Sequence, residues 1–125
     1  MGNIVKQPGS LYFIKEKDLL SKAISSYVKI GLVRDDKETE KRIAEHQTGN
    51  PRKIYNHKTL SSPFVEHLET QMHYRFAEKW ITGEWFNFTD AELKNAIKEA
   101  EKIIKEQENF ASVIEEADLL KDQVS

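Results

Sequence analysis

Lys29, Arg42 and His46 are the first residues whose types and spacing suggest chemistry. Lys29 lies in Tyr27-Val28-Lys29-Ile30-Gly31, which reads as a buried strand ending on a glycine. Alternation puts Lys29 on one face with Tyr27 and Gly31, and Val28, Ile30 and Leu32 on the other. A lysine on an interior strand is costly to bury unless paired, and desolvation lowers its pKa. Arg42 and His46 are four apart, so on a helix they share a face with Cβ atoms about 5–6 Å apart. A strand delivering an ammonium, then a helix delivering a guanidinium and an imidazole, make a cationic pocket suited to a phosphate. Gly31 would let a substrate or another backbone approach closely.

Two further positions could complete such a pocket. Tyr12 sits in an apolar run; its ordinary reading is a core ring with the hydroxyl at the rim, and its functional reading is a phenol able to pass or accept a proton. Glu66, Glu69 and His73 can share one helix face, and Glu69 borders the apolar stripe by following Leu68. A single carboxylate with several waters suits Mg²⁺; a solvated Glu–His pair is the competing reading. Zinc needs more nitrogen or sulfur ligands than a chain with no cysteine and four scattered histidines offers. Trp80 and Trp85, flanking Gly83-Glu84, read as large aromatics closing the core.

The elements that must position these groups follow from local signals. Residues 1–8 read as a loose tail ending in a Pro8-Gly9 turn. Ser10–Ile14 and Tyr27–Val33 read as strands of an antiparallel hairpin, with Lys15–Ser26 between them as a short helix or a long loop. Asp35 and Glu38 have capping-box spacing for a helix reaching Gln47, which Gly49 and Pro51 end. Arg52–Leu60 alternates weakly and suits an edge strand. Ser62 and Pro63 read as cap and first turn of a helix to about Lys79, striped by Val65, Leu68, Met72 and Phe76. Gly83–Phe88 reads as a turn entering a short aromatic extended segment. Thr89–Glu92 is a full capping box opening a long helix to about Asn109, with a polar break at Glu106–Asn109.

The 125 residues, 38% hydrophobic and 32% charged, favour one globular domain of modest core. No apolar run approaches the roughly 20 residues of a membrane span. The absence of cysteine fits a reducing, cytoplasmic setting. Net charge is −2 but unevenly spread: Met1–Trp85 holds 14 basic against 11 acidic residues, and Phe86–Ser125 holds 5 against 10. A broad duplex-binding face would be more basic, so nucleic-acid contact is expected to be local, weak, or completed by a second chain.

Taken in order, Gly9-Ser10-Leu11-Tyr12, Lys29-Ile30-Gly31, Arg42 with His46, Gly49-Asn50-Pro51, Leu68-Glu69 with His73, and Gly83-Glu84-Trp85-Phe86 resemble the GIY-YIG nuclease superfamily, in its compact phage and bacterial branch. The resemblance covers residues 9–88 as a nuclease core. Residues 89–125 are left as a helical extension that packs on the core or on a second chain. It implies an α+β fold, a small three-stranded antiparallel sheet flanked by helices as an α/β sandwich, here with a long C-terminal helix. It also implies endonuclease hydrolysis of DNA, single- or double-stranded, with one Mg²⁺ or Mn²⁺. By that resemblance Tyr12 positions or deprotonates the attacking water, Arg42 stabilises charge on the phosphate, His46 assists, and Glu69 binds the metal. Lys29 stands where a second tyrosine is usual. The long Lys15–Ser26 gap and the lack of a clear asparagine after the glutamate helix, with Asn87 the only candidate, are further departures. The rival readings are a non-catalytic DNA-binding module on the same scaffold and an interaction protein working through the last helix. A homodimer through that helix is a further expectation, and no membrane partner is expected.

Overall fold

A computed structural model describes residues 6–34 and 39–124. The run Gly9–Lys15 is buried on both faces, which makes its strand the centre of the sheet. This strand, β1 (Gly9–Asp18), pairs antiparallel with β2 (Ile24–Val33) on one side and with β3 (Arg52–Ser62) on the other. Leu11 and Phe13 point to one face, where Val28 and Ile30 join them. That face packs under α2 (Val65–Arg75) and α3 (Asp90–Val124) through Leu68, Met72, Leu93, Ala96, Ala100 and Ile103. Tyr12 and Ile14 point the other way, with Val33 and Ile54, under Ile43 of α1 (Thr39–Gln47). The period-2 alternation of one strand thus supplies two cores, one beneath each helical layer.

The expected three-stranded sheet is corrected to five strands, all antiparallel, in the order β3-β1-β2-β5-β4; the fold remains α+β. The added strands are β4 (Trp80–Thr82) and β5 (Trp85–Asn87). Gly83, at φ 55°, turns one back on the other, and Tyr27–Lys29 offers β5 a free edge of β2. A strand edge left open would present unpaired backbone groups, and the aromatic segment after Gly83 covers it. Trp80 belongs to this device, not to the core: it is exposed, and its indole Nε1 donates to the Gly83 carbonyl at 2.8 Å. Trp85 is half-buried against the Tyr12 layer.

Other boundaries also move. The Lys15–Ser26 segment is neither helix nor long loop; β1 and β2 simply continue, leaving a tight turn at Leu19–Ala23. Ser62 ends β3, and its Oγ accepts from the Phe64 N–H at 3.0 Å, so α2 starts three residues later. The α2 helix stops at Arg75, followed by a single 3-10 turn at Ala77–Lys79. Thr89 and Glu92 exchange reciprocal cap bonds, at 2.9 and 3.1 Å, as a capping box requires. From there α3 runs unbroken through Glu106–Asn109. Gln107 turns inward: its Oε1 accepts from Ser62 Oγ at 2.5 Å, and its Nε2 donates to the Phe64 carbonyl at 3.0 Å and to His67 Nδ1 at 2.8 Å. Gly49 is left-handed, φ 73°, closing α1 as expected. The cap at Asp35 and Glu38 lies outside the described residues. No helix among the described residues is long and apolar enough to cross a membrane.

Candidate active site

The β1–β2 register sets the floor of the site. Tyr12 stands opposite Gly31, and Ile14 opposite Lys29, so all four face α1. Tyr12 is only 3% exposed. Its ring occupies the space a side chain at position 31 would need: a Cβ there would lie 2.4 Å from the Tyr12 hydroxyl and 2.8 Å from Glu84 Oε2. Gly31 therefore serves close approach of the phenol.

From α1, one turn apart, come Arg42 and His46. The Lys29 ammonium, which can only donate, gives a hydrogen bond to His46 Nε2 at 3.1 Å. That bond puts the neutral ring's proton on Nδ1. Burial first, then the Lys29 and Arg42 charges, hold the His46 pKa below its ordinary value, so the imidazole is neutral at neutral pH. On its other side Lys29 lies 3.7 Å from Glu84 Oε2. Glu84 is brought in by the β4–β5 turn, whose Glu84 carbonyl also accepts from the Ile30 N–H at 3.0 Å.

The α2 helix passes the stretch of β2 that β5 does not reach. His73 fixes it there, donating from Nε2 to the Ile30 carbonyl at 2.9 Å and meeting Phe86 edge-on at 5.0 Å. One turn earlier, Glu69 enters the site. Its Oε2 is buried and has no hydrogen-bond partner. Burial, then Glu84, raise the Glu69 pKa, with His73 and Lys29 opposing. Tyr12 is pushed up to about 12, by burial first and by Glu84, against Arg42. A carboxylate orphaned in this way, in a cleft shared with Lys29, Arg42 and Tyr12, is a candidate functional group.

Tyr12, Lys29, Arg42, His46 and Glu69, drawn from four elements, thus line one cleft of about 550 Å³, together with Leu32, Arg34, Glu66, Thr70 and Glu84. The groups expected beside Glu69 are used elsewhere: Glu66 pairs with Arg34, and His73 holds β2. Asn87 pairs with Tyr27 in the sheet and is not among the residues lining the cleft. Among the described residues no group of three or more His, Asp or Glu could hold an ion together. Glu84 is the site residue the sequence reading passed over; it stood in the Gly83-Glu84-Trp85-Phe86 motif but carried no assigned role. A larger opening, about 760 Å³, lies past Arg34 between Lys6, Ser61, Pro63 and Glu115, and holds none of the five groups.

An α+β fold with this polar cleft over its two central strands is the architecture found here, and a comparison with known families finds a match. The profile of the T5orf172 domain matches residues 9–105, and the chain belongs to that family. It is a phage-associated domain of a nuclease-related clan, GIY-YIG/HNH-like in type; the GIY-YIG family itself gives no direct match. No curated protein and no solved structure matches the chain.

Proposed function

We propose that the chain is a metal-dependent endonuclease that hydrolyses DNA phosphodiester bonds in this cleft through a single-metal site of GIY-YIG type. The observation that carries the reading is the buried, unpartnered Glu69 Oε2 in the same cleft as Tyr12, Lys29 and Arg42. Membership of a nuclease-related family supports it.

The donor set fits one hard cation. A lone carboxylate oxygen without a protein partner suits Mg²⁺ or Mn²⁺, which keep most of their water ligands. Glu69 would hold the ion, which when bound supplies Lewis-acid stabilisation of the phosphate and leaving oxygen. The remaining groups act on their own. Arg42, exposed at the cleft wall, is placed to meet the phosphate with a fork of donors that suits its equatorial oxygens. Lys29, held between Glu84 and His46, presents a fixed ammonium to the same charge. Tyr12, with its pKa near 12, is a neutral phenol at neutral pH and can fix an attacking water by hydrogen bonding. His46, neutral and bonded at Nε2, orients Lys29.

The test is cleavage of supercoiled plasmid and of single-stranded DNA with Mg²⁺ or Mn²⁺. Glu69→Ala is expected to abolish cutting with the fold intact. Arg42→Ala should lose several orders of magnitude in rate, and Lys29→Ala less. Equal cutting by wild type and Glu69→Ala would remove the assignment. The rival reading is a DNA-binding module without catalysis on the same scaffold; wild-type protein that binds DNA in Mg²⁺ and never cuts it would favour that one.

A further inference from the structure

The β1–β2 hairpin runs on beyond the sheet's packed centre and ends in a turn with unusual surface chemistry. Asp18 builds the turn: its Oδ1 accepts from the Leu20 N–H at 2.9 Å and the Ser21 N–H at 2.8 Å, and Lys22 takes a left-handed conformation, φ 65°. The turn is therefore pre-organised, and it thrusts Leu20 out at 95% exposure beside half-exposed Leu19. Behind it, Lys17 of β1 faces Lys53 of β3 directly across the strands. Like charges at such a pair sit about 4.5–5.5 Å apart at Cβ and destabilise the sheet. Arg52, the neighbouring residue of β3, is treated differently: it stands opposite Asp18 and pairs diagonally with Glu16 at 3.0 Å. Among the described residues, Lys17, Lys22 and Lys53 have no ion-pair partner.

We propose that this tip is a duplex DNA contact: Lys17, Lys22 and Lys53 take backbone phosphates, and Leu20 wedges against a base step. A polyanion turns the Lys17–Lys53 repulsion into shared attraction, and exposed apolar side chains among cations are the means by which proteins press into the stacked bases. By the alternation of β1, Lys17 and its partner Lys53 lie on the sheet face opposite Tyr12, so the tip meets the duplex beyond the end of the cleft rather than along its floor. Six residues of the same strand separate Tyr12 from Asp18, about 20 Å at strand rise, or about six base pairs along a duplex. The proposal rests on the reading that the chain acts on nucleic acid, and it gives the lengthened hairpin a role in gripping the substrate away from the cut.

The experiment measures binding of wild type, Lys17→Glu and Leu20→Ser to a fluorescent DNA duplex in EDTA over a salt series, with thermal melts of each protein. Lys17→Glu makes the cross-strand pair attractive, so its melting temperature should rise while its affinity falls. Its plot of log affinity against log salt should be shallower by about one. A residue serving only the fold would not separate those two readouts. Leu20→Ser should keep the salt slope and lose the fluorescence rise of a 2-aminopurine in the duplex. Unchanged affinity and slope in Lys17→Glu overturn the proposal, and an unchanged 2-aminopurine signal in Leu20→Ser overturns the wedge. Failure of wild type to bind a duplex also overturns it. The nuclease reading is judged separately by metal-dependent cutting, so the two can fail independently.

Discussion

Glu69 carries a conflict between stability and chemistry. Its Oε2 is buried without a partner, and burial raises its pKa. The sign of the consequence follows from proton binding. Below the ordinary carboxylate range both folded and unfolded chains hold the proton, and there is no penalty. As pH rises through that range the unfolded chain ionises first, so the folded state loses stability until its own carboxyl ionises. Glu69→Gln keeps the shape and removes the charge. It should therefore be more stable than wild type at neutral pH, by about 1 kcal/mol, the low end for an unsatisfied buried group because the residue is partly exposed. The gain should vanish in acid, and denaturant unfolding at the two pH values checks it. Such a stabilised variant that no longer cuts is the pattern expected where a fold gives up stability for a site. At this scale the sequence was informative: Lys29, Arg42, His46 and Glu69 all announce themselves by spacing or by odd company. Glu84 did not, because a glutamate in a turn has no local signature.

At the scale of elements, α3 is tied down where local reading expected it to break. Gln107 is 5% exposed and clamps the helix to the end of β3 and the start of α2. In sequence it sits in the polar run Glu106–Asn109, and only the tertiary contacts separate it from its neighbours. Gln107→Leu would leave the Ser62 hydroxyl and the Phe64 carbonyl without this partner. A loss of about 1–3 kcal/mol is expected, measured by chemical denaturation. Beyond the clamp, Phe110, Val113, Leu119 and Leu120 stay exposed on α3. The short β4–β5 hairpin was half legible: Gly83 and the aromatics after it were read as a turn and an extended segment. That they form two strands depends on an edge of β2 far away in sequence.

At the scale of the molecule, Tyr12, Lys29, Arg42, His46 and Glu69 meet in a single cleft among the described residues, and the charge is divided between a mildly basic first part and an acidic remainder. On the proposed nuclease reading, one such cleft makes one cut. Supercoiled plasmid should therefore appear as open circle before any linear product, with both rates falling as salt rises, as phosphate contacts by cationic side chains require. Linear product from the outset, in a gel time course, would point to two chains acting together.

The amino-acid order alone determined the parts that depend on near neighbours: the capping box at Thr89, the left-handed Gly49, the three long strands, and the pairing of Arg42 with His46 on one helical face. These are set by contacts within a few residues, where side-chain geometry is repeated from protein to protein. Tertiary structure alone decided the rest. The fourth and fifth strands, the inward turn of Gln107, the contact of Glu84 with Lys29, and the gathering of Tyr12 and Glu69 in one cleft all depend on register and packing between distant segments. Those are chosen by burial of the whole core, which no short window of sequence contains.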